Sequence, residues 1–296
     1  MRRTVLTTAV CSILLTPGIG AAEESPHSLS ANVGLYSQYI FRGLTQTNEE
    51  PALQGGFDYA HSSGFYLGLW GSNLSWPKEN FTIGPPKAVS GQYSEGGSLE
   101  VDFYGGIRGP IGSSDFTYDA GLLYYWYPGT VTPGCTIGTA SCPEADTFEA
   151  YGALGWKWFS VKYSYSFGDT FGWPGADGTW YLDFGASIPL GETGLTLGLH
   201  YGIQDYSVKI PGTSVSYDDL LSYNDWRLSL AYDLGKVSKT LAGVEIGAMY
   251  TDTSGANDCG YGSYKDADNI STGACFGPYP KNIADGQFTA WIKKSF

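Results

Sequence analysis

From Ser30 to the C-terminus the chain is a succession of short segments in which apolar side chains alternate with polar or small ones. The plainest puts Leu195, Leu197, Leu199, Tyr201 and Ile203 on one side and Thr196, Gly198, His200, Gly202 and Gln204 on the other. Val161, Tyr163, Tyr165 and Phe167 alternate with Lys162, Ser164 and Ser166 in the same way, as do Trp226, Leu228, Leu230 and Tyr232 with Arg227, Ser229 and Ala231. A period of two belongs to β-strands whose faces meet different surroundings. Twelve such runs can be marked. Each has about 9 to 11 residues, the length of a tilted strand that crosses a bilayer.

The connectors constrain the fold further, because they alternate in length. Short ones near 61–64, 109–114, 157–160, 190–194 and 234–240 are interleaved with long, polar ones near 43–51, 73–97, 128–146, 169–178, 205–222 and 252–286. A soluble sandwich has no reason to sort its loops this way. The pattern predicts an all-β chain, a transmembrane antiparallel up-and-down β-barrel of about 12 strands. Short periplasmic turns would share one rim with both termini, and longer extracellular loops would form the other. Composition agrees: charged residues are 15% of the chain and aromatics 16%, whereas a soluble domain usually has about 25% charged residues.

Arg2 and Arg3 precede an apolar run from Val5 to Leu15, and Gly20-Ala21-Ala22 offers small residues for cleavage. Residues 1–22 therefore read as a secretory signal peptide and 23–296 as the barrel. Removing the signal changes the formal charge from -13 to -15, an acidity that argues against nucleic acid as a partner. Four cysteines remain, Cys135, Cys142, Cys259 and Cys275. An even count in an exported chain suggests two disulfides. The local pairing joins Cys135 to Cys142 and Cys259 to Cys275, one of three formal pairings, and the intervals with no nearby His fit zinc poorly.

The chain ends GQFTAWIKKSF, alternating to a terminal Phe296. It resembles the closing strand of bacterial outer-membrane barrels, with Lys294 where an apolar residue is usual. Residues 30–76 carry a second resemblance, in Arg42-Gly43, Thr45-Gln46-Thr47, Pro51-Ala52-Leu53-Gln54-Gly55-Gly56, Asp58-Tyr59 and Gly64-Phe65-Tyr66. This segment is similar to the opening of the TorF-like porin family of proteobacterial outer-membrane proteins. The resemblance implies a barrel with a channel role and supplies no substrate. The first strand would run near Ala31 to Arg42 and pair with the last, leaving no free edge.

With the apolar face toward lipid, the other face lines the lumen. It would carry Arg42, Glu100, Asp102, Arg108, Asp119, Glu149, Lys157, Lys162, Asp183, His200, Arg227, Glu245 and Lys293, with Asp58 and Asp225 among them. So many charges do not sit in a dry core, where each unpaired ion costs several kcal/mol. Twelve strands give a backbone diameter of roughly 24 Å and a bore of about 10 to 12 Å before loops intrude. Inward glycines, among them Gly56, Gly106, Gly121, Gly155, Gly185, Gly198, Gly202 and Gly247, either keep the bore open or relieve crowding where strands bend. Glu100, Asp102, Glu149, Asp183 and Asp225 fall in the outer half and Arg108, Lys157, Lys162 and Lys293 near the periplasm. Such a field draws in small cations or zwitterions, unless the charges compensate one another in the wall.

Aromatics near strand ends, including Tyr39, Phe41, Trp126 and Trp180 outside and Trp156, Phe159 and Phe296 inside, suit two headgroup belts. The acidic loops lack the spacing of a calcium loop and read as a solvated exterior. Catalysis is not expected: His27, His61 and His200 are the only histidines, and no G-x-S-x-G, P-loop or H-E-x-x-H is present. No cofactor is implied. The expected partners are outer-membrane lipids and small solutes, in the bacterial outer membrane, with no oligomer interface marked. The function expected is a porin for small polar solutes; its rival is a non-conducting barrel whose disulfide-pinned loops bind at the cell surface.

Overall fold

The computed structural model describes residues 25–79, 81–84, 88–263 and 279–296. Twelve strands form one closed antiparallel barrel. In chain order they are β1 (His27–Tyr36), β2 (Ala52–His61), β3 (Phe65–Asn73), β4 (Leu99–Pro110), β5 (Phe116–Trp126) and β6 (Thr147–Trp156). There follow β7 (Phe159–Phe167), β8 (Trp180–Pro189), β9 (Leu195–Asp205), β10 (Tyr223–Asp233), β11 (Val244–Ser254) and β12 (Gln287–Ser295). Each strand pairs with its chain neighbour, and β12 closes the barrel on β1. The signal-peptide segment, residues 1–22, lies outside the described residues.

Period-two patterning places the two faces as the sequence predicts. Leu53, Phe57, Leu122, Leu154, Leu199, Leu228 and Phe288 point outward and are exposed, while Ser72, Glu100, Glu149, Ser166, Asp225 and Thr289 point inward and are buried. An apolar exterior around a polar interior inverts a soluble protein and matches the surface a barrel presents to lipid. Connectors 62–64, 111–115, 157–158, 190–194 and 234–243 make one rim, and the six longer ones make the other.

The seam is short and is completed by side chains. β1 and β12 pair from Asn32↔Ser295 to Tyr36↔Trp291. Phe296 N–H donates to Ala31 O at 2.9 Å below that ladder, and Ser37 N–H donates to Ala290 O at 2.9 Å above it. Gln38 Nε2 then donates to Phe288 O at 3.0 Å as the chain leaves the wall. Lys294 bends to the rim, where its ammonium donates to Ala242 O and lies over the Phe296 ring. A long cationic side chain is accommodated this way by sending its head toward water.

The first strand is shorter than the sequence suggests. It ends at Tyr36, and Ile40 to Arg42 are not part of the wall. Instead Ile40–Phe41 and Leu44–Thr45 form a small hairpin that turns at Arg42-Gly43, with φ of 46° and 81°. Positive φ at both central residues is the geometry of the tight turn that matches strand twist. Tyr39 and Phe41 accordingly leave the expected aromatic belt: Tyr39 is buried against Trp70, and Phe41 packs edge-on to Tyr125 and Phe171.

The main apolar core lies among the outer loops. Leu74, Trp76, Tyr93, Tyr127, Trp173, Ile210, Tyr217, Leu221, Tyr261, Tyr279 and Ile283 form a buried cluster with Tyr39 and Trp70. Strand Tyr93–Gly96 of one loop pairs with Gly129–Val131 of the next. Tyr217 Oη donates to Pro174 O at 3.0 Å, and Tyr261 Oη to Leu221 O at 2.7 Å, tying further loops together. The Cys135–Cys142 disulfide closes a hairpin within this cap. Cys259 is disulfide-bonded as well; Cys275, its expected partner, lies outside the described residues.

Candidate functional site

The lumen is crossed by the hairpin that follows β1. Its tip reaches strands on the far side of the barrel. Arg42 Nη2 lies 2.8 Å from both carboxylate oxygens of Glu149 on β6, and Nη1 donates to Gln204 Oε1 on β9 at 2.9 Å. The guanidinium lies over the rings of Phe41, Tyr181 and Phe171. Tyr223 Oη on β10 donates to the Arg42 carbonyl at 2.8 Å. Burial disfavours the charged guanidinium, but the Glu149 carboxylate more than offsets it and holds the Arg42 pKa above its ordinary value. Gly43 is required at the tip, because a Cβ there would sit 2.5 Å from Asp225 Cβ, at a φ that side chains rarely adopt.

Beneath the hairpin, neighbouring strands place a row of charges side by side. The ladder runs Arg108↔Asp119↔Ala153↔Lys162↔Asp183↔Gly202↔Asp225, through every strand from β4 to β10. Adjacent opposite charges in this row do not form ion pairs. Asp119 accepts from Tyr66 Oη at 2.6 Å. Asp183 and Asp225 lie 3.2 and 2.7 Å from the ring nitrogens of His200. Tyr181 Oη also donates to Asp225, at 2.8 Å. The cations settle on aromatic faces instead, Arg108 over Tyr66 at 4.8 Å and Lys162 over Tyr151 at 4.1 Å.

This row and Arg227 line a cavity of about 210 Å³ under the hairpin tip. A second cavity, of about 310 Å³, lies toward the seam and is lined by Tyr36, Gln54, Trp70, Arg227, Trp291 and Lys293. Ile40, Phe41, Asp102, Leu123, Tyr125 and Arg227 border both, so the hairpin divides the bore.

The remaining predicted site residues fall in different surroundings. Glu100 and Asp102 are buried below the cap, where Tyr39 Oη donates to Glu100 at 2.9 Å. Glu245 and Lys293 pair at 2.9 Å on β11 and β12, and Trp291 Nε1 donates to Glu245 at 3.0 Å. Lys157 is not on the lumen wall: it occupies the turn between β6 and β7 with φ of 54°, and its ammonium lies over the Trp156 ring. A two-residue turn leaves its side chain at the rim rather than in the bore.

Several inward glycines seat aromatic rings. A Cβ on Gly247 would lie 2.2 Å from the Trp291 ring, one on Gly202 2.0 Å from Tyr181 Oη, one on Gly121 2.5 Å from Tyr151 Oη and one on Gly68 2.1 Å from the Tyr104 ring. Each glycine is a seat on which an aromatic ring of the adjacent strand lies along the wall, a close approach that only a missing side chain permits. At these positions the glycines relieve crowding, the second of the two readings, and the rings occupy the space beside them.

His200 contacts two carboxylates and a phenol, a structural arrangement within the wall. Sequence reasoning missed the crossing from Arg42 to Glu149. The Arg42-Gly43 pair between short alternating stretches was the available signal, since glycine beside a polar residue favours a tight hairpin turn.

No curated protein matches the chain. Among solved structures, the KdgM porin is 9% identical over 90% of this chain and 99% of its own, with a TM-score of 0.47. An outer membrane channel from Pseudomonas putida F1 is 11% identical over 96% and 100%, with a TM-score of 0.48. The NanC porin is 11% identical over 91% and 99%, with a TM-score of 0.46. Residues 20–276 match the family described as "Bacterial protein of unknown function (Gcw_chp)", and the chain belongs to that family.

Proposed function

We propose that the protein is an outer-membrane channel for passive diffusion of small polar solutes, seated among outer-membrane lipids after export directed by residues 1–22. The observation that carries this reading is the closed barrel whose apolar exterior surrounds a lumen cavity bordered by Arg108, Lys162 and Arg227, which make no ion pair among the described residues. A wall built only for rigidity has no use for Arg108, Lys162 and Arg227 around one cavity. The TorF-like character of residues 30–76 supports the same reading. The finer expectation of small cations or zwitterions narrows to zwitterions. The outer acids Glu100, Glu149 and Asp225 are buried and already bonded to Tyr39, Arg42 and His200, so they present little field at the mouth.

Planar-bilayer conductance of the folded, heat-modifiable protein tests the channel, with liposome swelling in sugars and amino acids as the solute readout. Discrete conductance steps are expected. Folded protein in the bilayer with no conductance overturns the channel and favours a second reading, a non-conducting barrel whose capped loops bind at the cell surface. The hairpin across the bore and the apolar core among the loops favour that alternative. A variant in which residues 39–46 are replaced by a short Gly-Ser linker separates the two. Conductance rising in the variant supports a channel narrowed by its own hairpin.

A further inference from the structure

The charge row under the hairpin has a property that wall salt bridges lack. Cross-strand neighbours of opposite charge stand about 5 Å apart at Cβ and ordinarily pair. Here Arg108 beside Asp119, and Lys162 beside Asp183, do not. Each carboxylate gives one oxygen to a neutral or ring donor, Tyr66 for Asp119 and His200 for Asp183. Each cation lies on a tyrosine face, Arg108 on Tyr66 and Lys162 on Tyr151. Among the described residues, Arg108, Lys162 and Arg227 make no ion pair, and all three border the same cavity of about 210 Å³. Asp119 and Asp183 border it too.

The cavity therefore holds both signs of charge, kept apart by aromatic rings. A solute bearing only a carboxylate would gain from the three cations but meet Asp119 and Asp183. One bearing only an ammonium would meet the reverse. A small molecule with both groups satisfies both sets, through charge-assisted hydrogen bonds from Arg108, Lys162 or Arg227 to its carboxylate and from its ammonium to Asp119 or Asp183. We propose that this row is a binding site for a small zwitterion of the amino-acid class. The site deepens the channel reading, which supplies the route by which the solute arrives.

L-alanine and its two fragments, propionate without the ammonium and ethylamine without the carboxylate, are the probes. Binding to the full, folded protein in detergent is measured by titration calorimetry, and conductance is measured separately in bilayers. Alanine is expected to bind about tenfold or more tightly than either fragment. Lys162→Met should weaken alanine by a similar factor without weakening ethylamine, and Asp119→Asn should weaken alanine without weakening propionate. Should either variant lose heat-modifiability, the comparison of the three probes on the unsubstituted protein still decides. Propionate binding as tightly as alanine overturns the proposal, as does the absence of saturable alanine binding. Conductance without alanine binding rejects the site and keeps the channel; alanine binding without conductance rejects the channel and keeps the site.

Discussion

The long-loop (outer) and short-turn (inner) halves of this barrel use charge in different ways. In the outer half, Arg42, Glu149, Glu100 and Asp225 are buried and bonded beneath a cap of loop aromatics. Nearer the short turns, Arg108 and Lys162 border the cavity beneath the hairpin without an ion pair, and Glu245 pairs with Lys293 where both are a quarter exposed. The difference teaches what a cation rests on. A buried guanidinium persists only with its counter-charge in place, whereas Arg108 and Lys162 lie on tyrosine faces.

Removing Glu149 is the severest test of that contrast. Glu149→Ala leaves Arg42 buried without its partner, and the folded barrel should lose about 3–5 kcal/mol in reversible urea unfolding in lipid vesicles. Stability within 1 kcal/mol, on the order of a surface pair, would mean that water already reaches the hairpin tip. Packing on the inner wall should matter less. Gly247→Ala drives a methyl group into the Trp291 ring and is expected to cost about 1–3 kcal/mol by the same assay. Gly152→Ala, which meets nothing within 4 Å, is the neutral control; equal effects of the two would reject the ring-seat role of the glycines. Smallest of all, Lys293→Ala at the exposed pair should change stability by less than about 1 kcal/mol. A larger loss would place that end of the bore in a drier environment than the exposure of Lys293 indicates.

The strands were legible because lipid outside and water inside act on each residue locally, so that Leu195 to Ile203 alternate without reference to any other segment. Loop sorting was legible for the same reason, since turn length depends on which rim a connector occupies. The hairpin was not. Ile40 and Phe41 continue the texture of β1, and nothing local distinguishes a strand in the wall from one folded into the bore. Arg42 meets its counter-charge 107 residues away. Glycines could be placed on the inward face by period, but the rings that occupy them come from neighbouring strands. Lys157 was misplaced because it continues the inward phase of β6 into the turn, where period-two alternation no longer sets a side chain's direction.

The sequence by itself determined a twelve-stranded barrel with sorted loops, a closing terminal strand and a charged interior, because each of these is written in short-range periodicity. Only the tertiary structure decided that the bore is divided, that Arg42 meets Glu149 and that Arg108, Lys162 and Arg227 face one cavity without an ion pair among the described residues. Those outcomes depend on which strands stand across the lumen from one another, and barrel closure brings together residues that no local pattern relates.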